Sequence, residues 1–257
     1  METVSDREGL HARWREPPSQ AVRVLEADPD LSAGIEEREL RLAVMASIAP
    51  MFEFDRGAWH FSPPPDTGGF GALVLEGLMV IRINADTRGH VELVGPGDLI
   101  SPWVGFGPDM TLPSVVTALV VSKARVALLD RRFALRTSRW PEIHAALIQR
   151  VIVRTRRLSL QSAINSLPRV EERLEVTLWE LAYRFGRVTP EGTVLDLPLT
   201  HSQFAEMVAA QRPSVSTALA RLQSHGRVMH TARHRWLLCG NPPSTLSSLA
   251  QQTGLQA

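Results

Sequence analysis

The sequence predicts an α+β protein with an N-terminal antiparallel β-roll, one long helix and a C-terminal unit of short helices and strands. Three observations support this fold class. Short runs rich in β-branched residues, separated by turn residues, fill residues 51–130. A long helical pattern follows Pro141. Within residues 170–226, apolar residues recur at helical spacing and indicate further, shorter helices. At 257 residues the chain is long enough for two domains, each with its own core.

The composition is that of an ordinary globular protein, with 44% hydrophobic and 21% charged residues. The net charge is only +1, so any affinity for a polyanion must come from local clustering of arginines. Cys239 is the single cysteine, which excludes an intrachain disulfide and suits a reducing compartment. The polar N-terminus and the lack of a long apolar run predict a cytoplasmic protein with no membrane partner.

The first elements in chain order are an arm and a helix. Residues 1–28 show little pattern and are expected to form an N-terminal arm. Residues 30–49 predict a helix capped by Ser32, with Leu40, Val44 and Ile48 along one side.

The roll follows as a series of short strands. Phe70 to Ile83 predicts a hairpin broken at Glu76–Gly77, and Gly95 to Asp98 is a strong turn signal. Residues 114–121 and 125–129 predict two further strands.

A long helix is predicted to begin at Pro141, where proline suits the first turn. Its apolar seam predicts pairing with a second copy of the chain. The seam consists of Ile143, Leu147, Val151 and Leu158. The alternative is that this helix packs only on its own roll. Pro168 then interrupts the helix, and residues 170–185 predict another amphipathic helix.

Residues 199–222 predict two short helices across a tight turn. Thr200 and Gln203 fit a capping box for the first helix, and Pro213 suits the first turn of the second. The second helix has an apolar stripe at positions i, i+3, i+4 and i+7, and Gly226 is placed to end it. Residues 227–238 predict two strands around a turn near Thr231 and Ala232, which form a basic wing.

The face of the second helix opposite its apolar stripe carries no acidic residue. A solvated helix face usually mixes Glu and Lys, whereas an acid-free face with Arg at its N-terminal end is typical of a helix that enters the DNA major groove. The sequence therefore predicts binding to double-stranded DNA. The candidate DNA-binding residues are Thr200, His201, Gln211, Arg212, Pro213, Ser214, Ser216, Thr217, Arg221, Arg233 and Arg235.

The combination of roll, long helix and C-terminal winged helix-turn-helix resembles the Crp/Fnr family of bacterial transcription regulators. The resemblance rests on Leu-Thr-x-x-x-Phe-Ala at 199–205, Arg-Pro-Ser-Val-Ser at 212–216, and Leu-Val-Gly-Pro-Gly-Asp at 93–98. It implies a cyclic-nucleotide-binding-like roll and a guanine-reading role for Arg212. Pro213 and Thr217 stand where well-known members have a base-contacting glutamate and arginine, so the resemblance does not imply those members' target sequence.

The sensor part departs from the cyclic-nucleotide-binding members. Where they have Gly-Glu for the ribose, this chain has Ser101-Pro102-Trp103, and residues 107–116 contain no arginine for a cyclic phosphate. Burying an anion without a cationic partner would be costly. We therefore expect no cAMP binding and no cofactor, with either an unidentified small-molecule effector or none. The candidate effector pocket consists of Gly97, Asp98, Leu99 and Trp103.

Three alternatives remain open at this stage. The first is a zinc site, for which His225, His230, His234 and Cys239 lie close in sequence, but their spacing fits no common pattern. The second is a cupin-like metalloenzyme, which would have to use His60 and His90. The third is a regulator that acts mainly through protein contacts.

The sequence thus predicts a homodimeric transcription regulator that is not an enzyme. The expected domains are an arm (1–28), a roll (29–140), a dimerisation helix (141–167), a winged helix-turn-helix (168–242) and a tail (243–257). The resemblance adds RNA polymerase as a candidate partner.

Overall fold

The computed structural model describes residues 20–59, 69–84, 89–100, 115–232 and 234–243. The chain divides into two compact units, Met1–Arg156 and Arg157–Ala257. The division falls inside one continuous helix, Pro141–Asn165. The α+β fold class predicted from the sequence is confirmed.

An antiparallel sheet forms the body of the first unit. Its strands are β1 (Gln20–Arg23), β2 (Ile48–Phe54), β3 (Gly57–Trp59), β4 (Gly71–Asn84), β5 (Gly89–Val94), β6 (Leu99–Ile100) and β7 (Val115–Leu129). The order across the described sheet is β1-β2-β7-β4-β5, with β3 on β7 and β6 on β4. Both faces of β4 and β7 are buried, because Ala72, Val74 and Val126 pack in one core cluster whereas Leu73 and Ala127 pack in another.

Two strands of the roll are longer than the sequence predicted. The expected hairpin at 70–83 is one strand, β4, because Gly77 forms a bulge and does not reverse the chain. Its φ is +86°, and a Cβ there would lie 2.3 Å from the carbonyl oxygen of Lys123. The two strands expected at 114–121 and 125–129 are likewise one strand, β7.

The N-terminal predictions for residues 20–49 need correction. Residues 20–28, expected in an arm, contain β1 and a short helix α1 (Val24–Ala27), whose Val24 and Leu25 are buried in the roll core. The predicted helix at 30–49 is a 3-10 turn (Pro29–Ser32) followed by α2 (Glu37–Ala46). Ser32 does not cap α2, because its hydroxyl donates to the carbonyl of Pro29. Ile48 lies in β2 and is exposed.

Two helices complete the first unit and lead out of it. Helix α3 (Arg131–Thr137) is capped by Asp130, whose carboxylate accepts from the Phe133 amide at 2.8 Å. Helix α4 (Pro141–Asn165) begins at the predicted proline. Phe133, Ile143 and Leu147 are fully buried with residues of α1, α2, β4 and β7, so the first turns of α4 belong to the roll core.

The second unit combines helices with a small antiparallel sheet. The elements after α4 are α5 (Val170–Phe185), β8 (Gly186–Thr189), β9 (Gly192–Asp196), α6 (His201–Met207), α7 (Arg212–Ser224), β10 (Val228–Ala232) and β11 (Arg235–Leu238). The strand order is β10-β11-β9-β8. Helix α5 has the predicted bounds.

Candidate nucleic-acid interface

Helix α6 begins with the capping box that the sequence predicted. The Thr200 hydroxyl accepts from the Gln203 amide at 3.3 Å, and the Gln203 side-chain oxygen accepts from the Thr200 amide at 2.7 Å. Each side chain satisfies a backbone donor that the first turn of a helix leaves unpaired. Phe204 and Met207 are buried below, so both the start and the inner face of α6 are fixed locally.

The turn between α6 and α7 is held by side chains that the sequence did not single out. Ala209 has a φ of +50°, a left-handed conformation that is uncommon for residues other than glycine. Arg173 of α5 donates to the carbonyls of Val208 and Ala209 at 3.3 and 3.4 Å. Gln161 of α4 donates to the Met207 carbonyl at 2.9 Å. These bonds fix the angle at which α7 leaves the turn.

Helix α7 buries its predicted stripe and exposes its opposite side. Its buried residues are Val215, Ala218, Leu219 and Leu222. We call its exposed side, together with the N-cap residue, the reading face. The reading face consists of Gln211, Arg212, Pro213, Ser214, Thr217, Ala220 and Arg221. Gly226 follows with a φ of +66° and ends the helix as predicted.

Two of the candidate DNA-binding residues contact each other behind the reading face. The Nδ1 atom of His201 and the hydroxyl of Ser216 lie 3.2 Å apart, and both side chains are half-buried. This contact joins the first turn of α6 to the middle of α7. Ser216 is therefore turned toward α6, whereas Thr200 and Ser214 are exposed.

Two of the four candidate DNA-binding arginines, Arg221 and Arg235, have carboxylate neighbours that the acid-free face of α7 does not show. Acidic residues outside α7 approach them: Glu171 lies 3.9 Å from Arg221, and Asp196 lies 3.0 Å from Arg235. Helix periodicity cannot show such partners, because they lie on α5 and β9. Among the residues that the structure describes, Arg212 forms no ion pair. Its guanidinium at the N-terminal end of α7 is thus available to meet an anion or a base edge.

The wing has its turn later than expected. Thr231 and Ala232 belong to β10, and the turn follows them, with His234 at a φ of +66°. Arg233 lies outside the described residues. The ring of His230 lies 4.6 Å from that of Trp236, and Trp236 packs edge-to-face on Phe204 of α6. The wing is thereby fixed to the helix pair.

The candidate effector residues surround a tight turn in the roll. Gly97 has a φ of +83°, and the buried Asp98 carboxylate accepts from the Gly95 amide at 2.9 Å. A Cβ on Gly97 would lie 2.4 Å from the guanidinium of Arg150, which donates to Asp28 at 3.0 Å. Burial raises the pKa of Asp28 despite this arginine. Trp103 lies outside the described residues.

A buried ion pair lies beside this turn and was not predicted. Arg154 of α4 forms bidentate contacts with Glu92 of β5, the shortest at 2.7 Å, and donates to the Leu99 carbonyl at 3.0 Å. The two side chains are 6% and 9% exposed. Arg154 thereby ties α4 to the roll.

The predicted dimer seam is partly wrong. Ile143 and Leu147 are fully buried in the roll core and Val151 packs against it, so the alternative of packing on the chain's own roll holds for these three. Leu158 is half-buried. The neighbouring row is exposed instead: Ile148 is 54% exposed and Ile152 is 45% exposed.

No three His, Cys, Asp or Glu side chains form a possible metal site within the described ranges. Cys239 is half-buried and unpaired by disulfide. In the same part of the chain, no helix has both the length and the apolar character needed to cross a bilayer.

The geometry defines a class of protein: a DNA-binding protein with an antiparallel roll and a winged helix-turn-helix. A family model described as the Crp-like helix-turn-helix domain matches residues 172–240. The CRP-like cAMP-activated global transcriptional regulator of Mycobacterium tuberculosis is 32% identical over 192 residues, which are 72% of this chain and 81% of that protein. The chain belongs to the Crp/Fnr family of transcription regulators.

Solved structures show the same fold at low identity. FixK2 from Bradyrhizobium japonicum matches with a TM-score of 0.59 and 16% identity over 78% of this chain and 96% of its own. A mutant of CooA from Carboxydothermus hydrogenoformans matches with a TM-score of 0.60 and 13% identity over 91% of this chain and 98% of its own. Both matches extend over the roll and the helix-turn-helix.

Proposed function

We propose that the protein is a homodimer that reads a pseudo-palindromic operator through α7. The observation that carries the proposal is the reading face, with Arg212 exposed at its N-terminal end and without an ion pair among the described residues. An arginine in this place can donate two hydrogen bonds to O6 and N7 of a guanine. The backbone of DNA is contacted separately, and the exposed Ser214 hydroxyl is suited to a phosphate oxygen.

The second copy is proposed to lie along α4. Ile148 and Ile152 are four residues apart, so they lie on one side of the helix and one turn apart. Val153, beside them, is 40% exposed. Exposed apolar side chains in a row on a long helix are typical of a pairing surface. Leu158, half-buried further along, is retained as a candidate contact. The dimerisation segment at 141–167 and the other domain limits predicted from the sequence remain proposals.

The roll is proposed not to bind cAMP, although the Mycobacterium tuberculosis relative is described as cAMP-activated. Two arginines lie near the glycine-aspartate turn, and each already has a carboxylate partner: Arg150 has Asp28, and Arg154 has Glu92. A cyclic phosphate placed there would compete with these carboxylates for the same cations. The effector is then a different small molecule, or the protein acts without one.

One further partner and a location complete the proposal. RNA polymerase is proposed as a partner because the chain belongs to a family of transcription regulators, and the cytoplasm is where DNA and polymerase meet. The proposal excludes an enzyme, because the matched relative is a transcription regulator.

The test of base reading is Arg212→Ala on operator fragments selected from random DNA. The variant should lose about 1–3 kcal/mol of binding free energy and lose preference at one base pair of each half-site. Arg235→Ala is the matched control, because Arg235 is exposed but held by Asp196. It should weaken binding to all sequences about equally. Fluorescence anisotropy measures the affinity of both variants for the operator and for its single base-pair variants. If Arg212→Ala loses the same affinity for every sequence, Arg212 contacts phosphate only.

Thermal unfolding tests whether the roll binds cAMP. The melting temperature should stay unchanged when cAMP is added at micromolar to millimolar concentration, since only a ligand that binds the folded state raises it. The purified regulator of Mycobacterium tuberculosis is the positive control. A melting shift that saturates with cAMP would overturn this part of the proposal.

A further inference from the structure

The middle of the reading face is formed mainly by apolar groups. Pro213, Thr217 and Ala220 are exposed and lie at positions i, i+4 and i+7 of α7. At 3.6 residues per turn these positions share one side of the helix. We call them the apolar row. The row lies between Arg212 and Arg221, so a helix that enters a groove at Arg212 presents the row to the next base pairs.

The hydroxyl of Thr217 is turned back onto its own helix. It donates to the Pro213 carbonyl at 3.1 Å, the back-bond that threonine makes to the fourth preceding residue. The hydroxyl hydrogen is thereby used inside the protein. The second branch on the threonine Cβ is a methyl group, which is left to meet a partner. The nearby Ser216 hydroxyl is also engaged, with His201.

DNA offers one apolar group in its major groove, the C5 methyl of thymine. We propose that Thr217 is a specificity-determining residue that recognises a thymine through methyl-to-methyl contact, with Pro213 and Ala220 flanking it. This inference rests on the proposed function, in which α7 enters the major groove. The half-site would then contain a second recognised base besides the guanine read by Arg212, and the methyl contact identifies that base as thymine.

The spacing gives the approximate position of that thymine. Thr217 stands five positions after Arg212, which corresponds to a rise of about 7.5 Å along the helix axis. Base pairs follow each other every 3.4 Å along the duplex. The thymine should therefore lie about two base pairs from the guanine that Arg212 reads, in each half-site.

The experiment replaces each thymine of one selected half-site in turn by deoxyuridine, which lacks only the methyl group. For the wild-type protein, one position about two base pairs from the guanine should weaken binding about four-fold, the change expected for one buried methyl group. Thr217→Ser keeps the hydroxyl and its back-bond but removes the methyl, so its affinity should be the same for thymine and deoxyuridine. Thr217→Val keeps a methyl without the hydroxyl and should retain the four-fold difference.

Each outcome decides the inference. An equal deoxyuridine effect in the wild type and in Thr217→Ser, or no sensitive thymine at all, shows that Thr217 does not read the methyl. Loss of the effect in Thr217→Val shows that the hydroxyl makes the contact. In all three cases the operator is still bound, and Arg212→Ala still tests the proposed function. Failure to enrich any sequence overturns the proposed function and the inference together.

Discussion

At the residue scale, the surroundings of each arginine decide what it can do. Arg221, Arg227 and Arg235 all lie within ion-pair distance of a carboxylate, at 3.9, 2.6 and 3.0 Å. Such exposed or half-exposed pairs contribute little to stability, but they lower the local positive charge. Arg212 forms none within the described part of the chain. Affinity for the DNA backbone should therefore be moderate, and base reading should rest mainly on Arg212.

The buried pair of Arg154 and Glu92 gives a residue-scale prediction on stability. Arg154→Met leaves the Glu92 carboxylate buried without its partner, and this should cost about 3–5 kcal/mol of unfolding free energy. The double variant Arg154→Met/Glu92→Leu removes both charges and should regain a large part of that loss. Urea unfolding followed by circular dichroism measures all three proteins. A double variant as unstable as Arg154→Met alone would contradict a direct coupling between the two side chains.

At the element scale, the helix pair α6–α7 depends on local bonds at its start. Thr200→Ala removes the capping hydroxyl and should cost about 1 kcal/mol. For a unit of this size that corresponds to a fall of roughly 4–8 °C in its melting temperature. Thr200→Ser keeps the hydroxyl and is the matched control, with a shift near zero. Equal shifts in both variants would show that packing of the threonine methyl, and not capping, is what matters.

The same elements show what the sequence could predict. The capping box at Thr200, the proline at 141 and the stripe of α7 are short-range patterns, and the structure confirms them. The partners of Arg221 and Arg154 could not be predicted, because Glu171 and Glu92 are brought to them by tertiary packing. Periodicity likewise identified an apolar side of α4 but not what covers it, and Ile143 was therefore misassigned. The bulge at Gly77 was mistaken for a turn, since glycine permits both.

At the scale of the whole molecule, the proposed dimer predicts that charged residues on the exposed row of α4 will lower the mass of the particle in solution. Ile148→Glu/Ile152→Glu places two charges on the exposed row of α4 and should convert the dimer to a monomer in sedimentation experiments. Operator affinity should fall with it, because a monomer engages one half-site. Leu42→Glu/Met45→Glu is the control, since these side chains of α2 are exposed to a similar degree, 51% and 50%. A dimer that survives the first double variant would place the interface elsewhere.

The most direct test of the account is selection of bound fragments from random duplex DNA by the purified protein. Two copies of α7 related by two-fold symmetry should enrich a pseudo-palindrome whose half-sites lie about one helical turn apart, 10–10.5 base pairs from centre to centre. Each half-site should contain the guanine that Arg212→Ala no longer distinguishes. Enrichment of a single unrepeated motif, or of no sequence, would contradict the claim that this protein reads DNA as a symmetric pair of helices.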